Sequence, residues 1–433
     1  MSIKNKLVKT VRSALPDSAI KNLETTYRKS RSKLVAAFYG SPSRRLRVIA
    51  ITGTNGKTTT ANFLNEILKE AGNKTAMFST ANIEIAGEQI LNDLNATVGT
   101  TARMQRFFKD AKKAEVDFVI IEATSHALVQ HKLDGVPIEM AIMTNLTQDH
   151  LDYHKTMDNY ATAKAKLFKM KPKFIVLNSD DEWFDYFNKF EARDQKITYG
   201  SDKNAEVKID RVKLYKKGSE AHLTIDNNVS VELATNLPGK YNVYNMTAAA
   251  SAAYLLGVPL ASLQEGAANL EAIPGRFERA VEGKPYDVVV DYAHTPDALE
   301  KLLETAKAIT KNRVLLVFGA TGDRDKEKRP IMGQIAAKNA DRIFITDEEC
   351  YSEDPDKIRA DIISGINKDG KMPANIFEIA DRREAIAKAL SVAQKGDIVL
   401  ITGMGHEVFR IIDGEKVPWN DAEVVREILD ESK

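Results

Sequence analysis

A chain of 433 residues with 43% hydrophobic and 28% charged residues has the make-up of a soluble globular protein and the length of two or three domains. No run approaches the about 18 apolar residues that span a bilayer, and the charged N-terminus lacks the apolar core and cleavage site of a signal peptide. The single Cys350 excludes an internal disulfide and a multi-cysteine zinc site, so a reducing cytoplasm is the expected setting.

The net charge of +1 hides an asymmetry. Residues 1–47 carry twelve Lys/Arg and two Asp/Glu, or +10, which leaves the other 386 residues at −9. Within that segment Ile3, Leu7, Val8 and Val11 have helical spacing, as do Ile20, Leu23, Tyr27, Leu34 and Phe38, with Pro16 and Asp17 between the runs. Two basic amphipathic helices are expected. They should pack on the body with a solvated Lys/Arg face; peripheral contact with an anionic membrane or partner is the alternative.

From Arg47 the pattern is α/β. VIAIT is a strand, a glycine loop follows, and TTANFLNEILKEAG reads as a helix. VDFVIIEAT, EMAIMTNL and KFIVLN are further apolar strands of the kind a parallel sheet buries. Residues 205–235 alternate, which predicts antiparallel hairpins at the domain edge, and the small-residue helix NMTAAASAAYLLG comes next. Around AIPGRFER the pattern restarts: YDVVVDYA, NRVLLVFGA, DRIFITD and DIVLITG read as strands of a second, doubly wound unit. The expected organisation is a basic helical segment and linker over 1–45, a central P-loop domain with a parallel sheet over 46–272, and a Rossmann-like domain over 273–433.

The stretch ITGTNGKTTTANFL, residues 51–64, is not a regular Walker A, because Ile51 stands where the first glycine belongs. Its chemistry is nevertheless that of a phosphate loop. Gly53 and Gly56 let the backbone turn its N–H groups toward phosphate, with Thr54 and Asn55 between them. Lys57 adds positive charge, and Thr58 and Thr59 offer hydroxyls at a helix N-terminus. Magnesium needs carboxylate, and Glu122 ends a strand whose C-terminal edge faces this loop. Asp149, His150, Asp152 and His154 cluster at the end of a third strand, a grouping suited to metal or phosphate work.

Together these residues resemble the Mur ligases, which join an amine to a carboxylate with ATP. ITGTNGKTTT, EATSHALVQHKL, TNLTQDHLDYHKTMDNYATAKAKLF, NLPGKYNVYN, IPGRFE, DYAHTPD, GATGDRDKEKRPIMG and ITGMGHE occur in family order over about residues 40 to 425. DHLDYH, SHALVQHKL and GDRDKEKRP point to the branch that adds the third stem-peptide residue to UDP-N-acetylmuramoyl-L-alanyl-D-glutamate. The resemblance implies that Lys57 holds the phosphates, that Thr58 and Glu122 hold one Mg²⁺ and His150 a second, and that Lys164 becomes a CO₂-derived carbamate able to sit beside metal. Read from the residues alone, Lys164 is a surface helix lysine. The resemblance also implies that Asn242 and Asn245 lie near adenine, and that Arg276, Asp291 and His294 reach ATP from the C-terminal domain.

Substrate positions carry over less evenly. Thr100, Thr101 and Gln130 match; Thr124 replaces a serine and Lys132 an arginine, losing the bidentate fork. Arg324 and Glu407 match positions that grip the incoming amino acid, and Gly403 lies in the same motif, where Met404 replaces a lysine. The diaminopimelate signature Asp-Asn-Pro-Arg is here Glu348, Glu349, Cys350 and Tyr351. With Tyr351 in place of the arginine and two acids beside it, the pocket argues against diaminopimelate and for a cationic side chain such as lysine or ornithine. Both Glu side chains facing solvent is the plainer reading.

This branch places about a hundred residues before the phosphate loop, in a UDP-binding domain; here only the basic segment precedes it. The substrate is then held by the central domain and the basic segment, lacks UDP, or is recognised through a partner. An ATP-dependent ligase working through an acyl phosphate is the expected activity, on small molecules and not nucleic acid, as a monomer. Folylpolyglutamate synthetase is the alternative within the class, and a nucleotide-binding scaffold without ligation the alternative outside it.

Overall fold

The computed structural model describes residues 16–91, 99–366, 374–412 and 415–431. Among these, eleven strands form one sheet: β1 (Arg47–Thr52), β2 (Thr75–Phe78), β3 (Asn82–Ile85), β4 (Glu88–Leu91), β5 (Phe118–Glu122), β6 (Ile138–Met143), β7 (Phe174–Asn178), β8 (Gln195–Gly200), β9 (Val207–Tyr215), β10 (Gly218–Ile225) and β11 (Val229–Thr235). Their order is β11-β10-β9-β8-β7-β6-β1-β5-β2-β3-β4. The run from β9 through β8, β7, β6, β1 and β5 to β2 is parallel. β9–β11 form the expected antiparallel edge.

Why β1 reads as an unbroken apolar run is plain from its burial. Val48 and Ala50 face one core and Ile49 and Ile51 the other, and none is exposed. Helices Lys57–Glu70 and Lys240–Leu255 cover the second face, and Thr101–Lys113 and Met157–Lys169 the first. Strands β2, β3, β4 and β8 do not stand out in the sequence. β2, β3 and β4 have four residues each, and β3 carries polar residues inside: Glu84 is buried, yet it pairs with Lys69 at 3.3 Å and accepts from Asn65.

A second sheet holds β12 (Glu278–Arg279), β13 (Asp287–Asp291), β14 (Val314–Phe318), β15 (Arg342–Ile345), β16 (Ile376–Glu378) and β17 (Ile398–Thr402), in the order β12-β13-β17-β14-β15-β16. All but β12 run parallel. A hairpin, β18 (Phe409–Ile412) and β19 (Glu415–Pro418), follows. The loops after β1, β5 and β6 meet those after β13, β14, β15 and β17 across one cleft, as expected for ligands at the carboxyl ends of parallel strands.

The basic N-terminal segment departs from expectation. Residues 3–11 lie outside the described residues. The second run is the helix Asp17–Phe38, which rests on Thr101–Lys113, but its apolar stripe points away from the body. Leu23, Tyr27, Leu34 and Phe38 are 57%, 66%, 71% and 86% exposed, whereas Ser32 is buried. The polar side of the helix is the side that packs. Among the described residues no helix is long and apolar enough to cross a membrane.

Candidate active site

The loop after β1 is built by close approach. Gly56 has φ +82°, and a Cβ there would fall 2.2 Å from Asn245 Oδ1, so only glycine lets the loop lie against the Asn242–Asn245 turn of helix. The loop is tied down from below: Asn145 Oδ1 accepts from the Asn55 N–H at 2.9 Å, and Thr144 Oγ1 donates to the Asn55 carbonyl at 2.6 Å. Lys57 Nζ donates to the carbonyls of Gly53 and Thr54, at 3.0 and 2.7 Å. Burial depresses its pKa; Glu122 and Asp149 oppose that and Arg276 adds to it.

Register brings the carboxylate to this loop. Ile51 of β1 pairs with Glu122 of β5, one strand over. Glu122 accepts from Thr58 Oγ1 at 2.8 Å and from the N–H and hydroxyl of Thr80 at 2.6 and 3.0 Å. A buried carboxylate is thus fully hydrogen-bonded, as it must be. Thr80 follows β2, one of the strands without a clear sequence signal, and so had none itself. The Thr58–Glu122 oxygen pair suits Mg²⁺, which takes one or two protein oxygens and fills its shell with phosphate and water. Among the described residues no three His, Cys, Asp or Glu side chains form a metal-binding group.

The cluster after β6 is compact. His150 has φ +56°, its ring stands edge-on to that of His126 at 4.7 Å, and Nε2 is 3.3 Å from Asp149 Oδ2. Burial, outweighing Asp149 and helped by His126, pushes the His150 pKa down to about 3, so the ring is neutral. Burial opposes ionisation of Asp149 too, but His150, Lys328 and His294 outweigh it and hold the carboxyl well below its usual range.

Lys164 is not the surface lysine its residue context suggests. It is 1% exposed, lies beneath the loop, donates to the Gly53 carbonyl at 2.7 Å and sits 4.4 Å over the Tyr160 ring. Burial first, then Lys57, push its pKa well down.

From the second sheet, Arg276 donates to Thr58 Oγ1 at 3.3 Å and stacks on Tyr292. Asp291 accepts from the N–H groups of Phe277 and Ala293, and burial raises its pKa. His294, neutral with a pKa lowered to about 4 chiefly by burial, faces the same space. Contacts between the two sheets' loops close the cleft: Asn55 Nδ2 donates to Asp297 at 2.8 Å, Gln148 to Asp325 at 3.4 Å, and Lys328 lies 3.9 Å from Asp149. Asp297, Lys328 and Thr80 complete the site without having been singled out by sequence.

The far wall is acidic. Glu348, Glu349 and Glu407 are 4%, 6% and 9% exposed, so the solvent-facing reading of the two Glu residues does not hold. Glu348 accepts from the Gly319 N–H and Thr321 Oγ1; a Cβ at Gly403, φ +107°, would fall 1.9 Å from its Oε1. Glu349 accepts from the Tyr351 hydroxyl at 2.7 Å and the Ile411 N–H at 3.1 Å. Arg324 lies 5.6 Å over the Tyr351 ring. Glu407 has no side-chain partner among the described residues, and burial, with Glu349 and Glu348 nearby, pushes its pKa up to about 9.

The cleft, of about 1240 Å³, is lined by Thr54–Thr59, Glu122, Thr124, His150, Asn242, Asn245, Arg276, Asp291, His294, Arg324, Glu348, Glu349, Tyr351, Gly403 and Glu407. Gly53 and Lys164 lie outside the lining, beneath the loop. Outside the lining, Lys132 lies against the segment that leads into Thr100 and Thr101, and Gln130 stands two residues before it; these four make up the patch next to the cleft. Thr100 caps the helix Thr101–Lys113, and Lys132 Nζ donates to the Gly99 carbonyl at 2.6 Å. The short helix Ser125–Val129 joins cleft and patch, with Thr124 capping one end and Gln130 the other.

Residues 51–253 match the Mur ligase middle domain, and residues 275–405 the Mur ligase glutamate ligase domain. UDP-N-acetylmuramoyl-L-alanyl-D-glutamate–2,6-diaminopimelate ligase of Clostridium botulinum is 38% identical over 406 residues, covering 93% of this chain and 82% of its own length. The ligase of the same name from Aquifex aeolicus is 41% identical over 403 residues, covering 93% and 81%. A solved structure with that name superposes with a TM-score of 0.62 at 36% identity, over 89% of this chain and 79% of its own. A folylpolyglutamate synthase of Mycobacterium tuberculosis gives a TM-score of 0.71 at 18% identity, over 87% and 92%, and shares the fold alone. The chain belongs to the Mur ligase family.

Proposed function

We propose that this Mur ligase, an ATP-dependent amide-bond-forming enzyme, adds a diamino acid to the glutamate carboxylate of UDP-N-acetylmuramoyl-L-alanyl-D-glutamate in peptidoglycan precursor synthesis. One observation carries the reading: a phosphate loop with a Thr58–Glu122 oxygen pair and a wall of three buried acids face each other across one cleft. The first suits a triphosphate and the second an amine.

The substrate carboxylate attacks the γ-phosphorus of ATP; the bond to the β–γ bridging oxygen breaks, leaving ADP and an acyl phosphate. Lys57, the loop amides and Arg276 face the oxygens that gain charge in this step. Bound Mg²⁺, held by Thr58 and Glu122, would supply charge neutralisation there. The amine then attacks the acyl carbon, phosphate leaves, and the amine's surplus proton is lost to a base. Contacts such as Asn55–Asp297 hold the two walls together and keep water from the acyl phosphate.

Finer assignments follow the same residues. Lys164, whose pKa burial and then Lys57 depress, is shifted toward the unprotonated amine that carbamate formation with CO₂ needs. His150, neutral, is available as a ligand to a second ion. Asn245, against Gly56, and Asn242, which accepts from Asn245, mark the adenine side. The patch of Thr100, Thr101, Gln130 and Lys132 receives the nucleotide-peptide. Although the relatives above are named for diaminopimelate, Tyr351 leaves no arginine for a distal carboxylate, and the acidic wall favours lysine or ornithine. The enzyme works in the cytoplasm as a monomer.

The test offers lysine, ornithine and diaminopimelate in parallel with ATP, Mg²⁺ and UDP-N-acetylmuramoyl-L-alanyl-D-glutamate, following ADP release and product mass. A lysine or ornithine adduct is expected. A diaminopimelate adduct alone would reject the cationic pocket, and ADP release independent of any amine would reject the ligase reading.

A further inference from the structure

Among the described residues the helix Asp17–Phe38 carries the four most exposed large apolar side chains, and they are not scattered. Leu23, Tyr27, Leu34 and Phe38 are separated by four, seven and four residues, which puts them on one side of a helix. The opposite side holds the buried Ser32 and the half-buried Val35 and Ala36 and rests on the helix Thr101–Lys113. A helix that docks by its polar side and presents its apolar side has spent none of its hydrophobic surface on this fold. Single exposed apolar residues need no explanation, but a continuous stripe does.

The charges say what covers it. Helical geometry sets Arg31 along one edge of the stripe and Lys33 on its other side. Both are exposed, and neither forms an ion pair among the described residues. Arg28, by contrast, is paired with Glu24 at 3.2 Å. A second copy of the helix would bring these cations against their own kind, since matched seams place opposite charges beside an apolar stripe. Residues 1–15 are an equally poor cover, because they hold four Lys/Arg and no acid. An anionic surface with an apolar interior meets both requirements. The rest of the chain, at −9 beyond residue 47, is repelled by such a surface, so attraction is confined to this end.

We propose that the helix Asp17–Phe38 docks the enzyme on an anionic lipid bilayer, with Leu23, Tyr27, Leu34 and Phe38 in the headgroup–acyl boundary and Arg31 and Lys33 at the phosphate level. The helix lies on the membrane and does not span it. Arg31 acts electrostatically on Lys132, which sets the helix beside the patch next to the cleft. The proposal stands on the helix alone and is independent of which amino acid the enzyme adds.

The test is flotation of the full-length protein with phosphatidylcholine vesicles, with and without phosphatidylglycerol. The wild type floats with the anionic vesicles only, and less so as salt is raised. Leu34→Glu with Phe38→Glu, both at exposed positions, lowers the bound fraction by roughly tenfold or more while ATP-dependent activity in solution is unchanged. Charge reversal at Arg31 and Lys33 weakens binding by roughly fivefold or more per residue. Absence of flotation by the wild type, or flotation that the stripe variant retains, would overturn the proposal. So would a wild-type dimer in sedimentation velocity that the stripe variant turns into monomer, because a second copy would then be the cover.

Discussion

The two walls of the cleft solve opposite electrostatic problems. The wall from the first sheet gathers basic groups: Lys57 and Lys164 lie around the loop, and Arg276 and Lys328 reach over from the second sheet. Each is satisfied by a carbonyl, a hydroxyl or a carboxylate, so the pole is held ready without being neutralised. The wall from the second sheet gathers acids, and there the bookkeeping is incomplete: Glu348 and Glu349 are hydrogen-bonded, but Glu407 is not. A site that leaves one buried acid without a partner is incomplete until a donor arrives. On the proposed reading the phosphate end is preformed, and the amine end is finished by its ligand.

The largest effect should come from removing what holds the acidic wall. Arg382 and Asp421 are both 0% exposed, with Nη2–Oδ2 at 2.7 Å and Nε–Oδ1 at 2.9 Å, and Arg382 also donates to the Thr402 carbonyl just before Gly403. Arg382→Ala strands a buried carboxylate and should cost about 3–5 kcal/mol of stability, read from urea unfolding. A loss under about 1 kcal/mol would mean that the wall is held by strand packing and not by this pair.

At the other pole, Lys57→Ala should lower kcat by roughly 100- to 1000-fold, or about 3–4 kcal/mol, with folding intact, because one donor to a transferring phosphoryl group is lost. The amino-acid KM should stay within about twofold if the lost interaction is confined to the transition state. A large rise in that KM instead would show that the poles are not separable.

How much of this was legible in the sequence divides along the same line. The loop, Glu122 and the parallel strands were readable because local chemistry repeats there: a glycine turn after an apolar run, an acid at a strand end. Strands β2, β3 and β4 were not, because four-residue strands with buried Glu84 and Asn82 carry no clean period, and Thr80 was lost with them. Lys164 looked exposed on residue context because its helix, with Ala161, Ala163 and Ala165 also buried, packs on more than one face. The N-terminal helix shows the limit most sharply. Its period disclosed an apolar stripe, but a period says nothing of which side the rest of the protein will take.

The smallest expected change is also the most specific. A carboxyl raised from its usual 4.5 to about 9 binds a proton in the folded state that it lacks when unfolded. The folded state therefore holds more protons between those values, and stability falls as pH rises from about 4.5 through about 9. Glu407→Gln removes the group that titrates, so the urea midpoint of the variant should depend less on pH across that window and exceed that of the wild type at its alkaline end. The same substitution should raise the KM for the diamino acid by roughly tenfold, the scale of one hydrogen bond to a charged group, and leave the KM for ATP alone. Binding of a cationic amine beside Glu407 should also expel its proton, so that in the wild type amine binding at neutral pH releases about one proton and in the variant none. If the variant binds the amine as tightly as the wild type but still loses the alkaline slope, the three acids are a stability defect and not a pocket, and the preference for a cationic side chain falls with them.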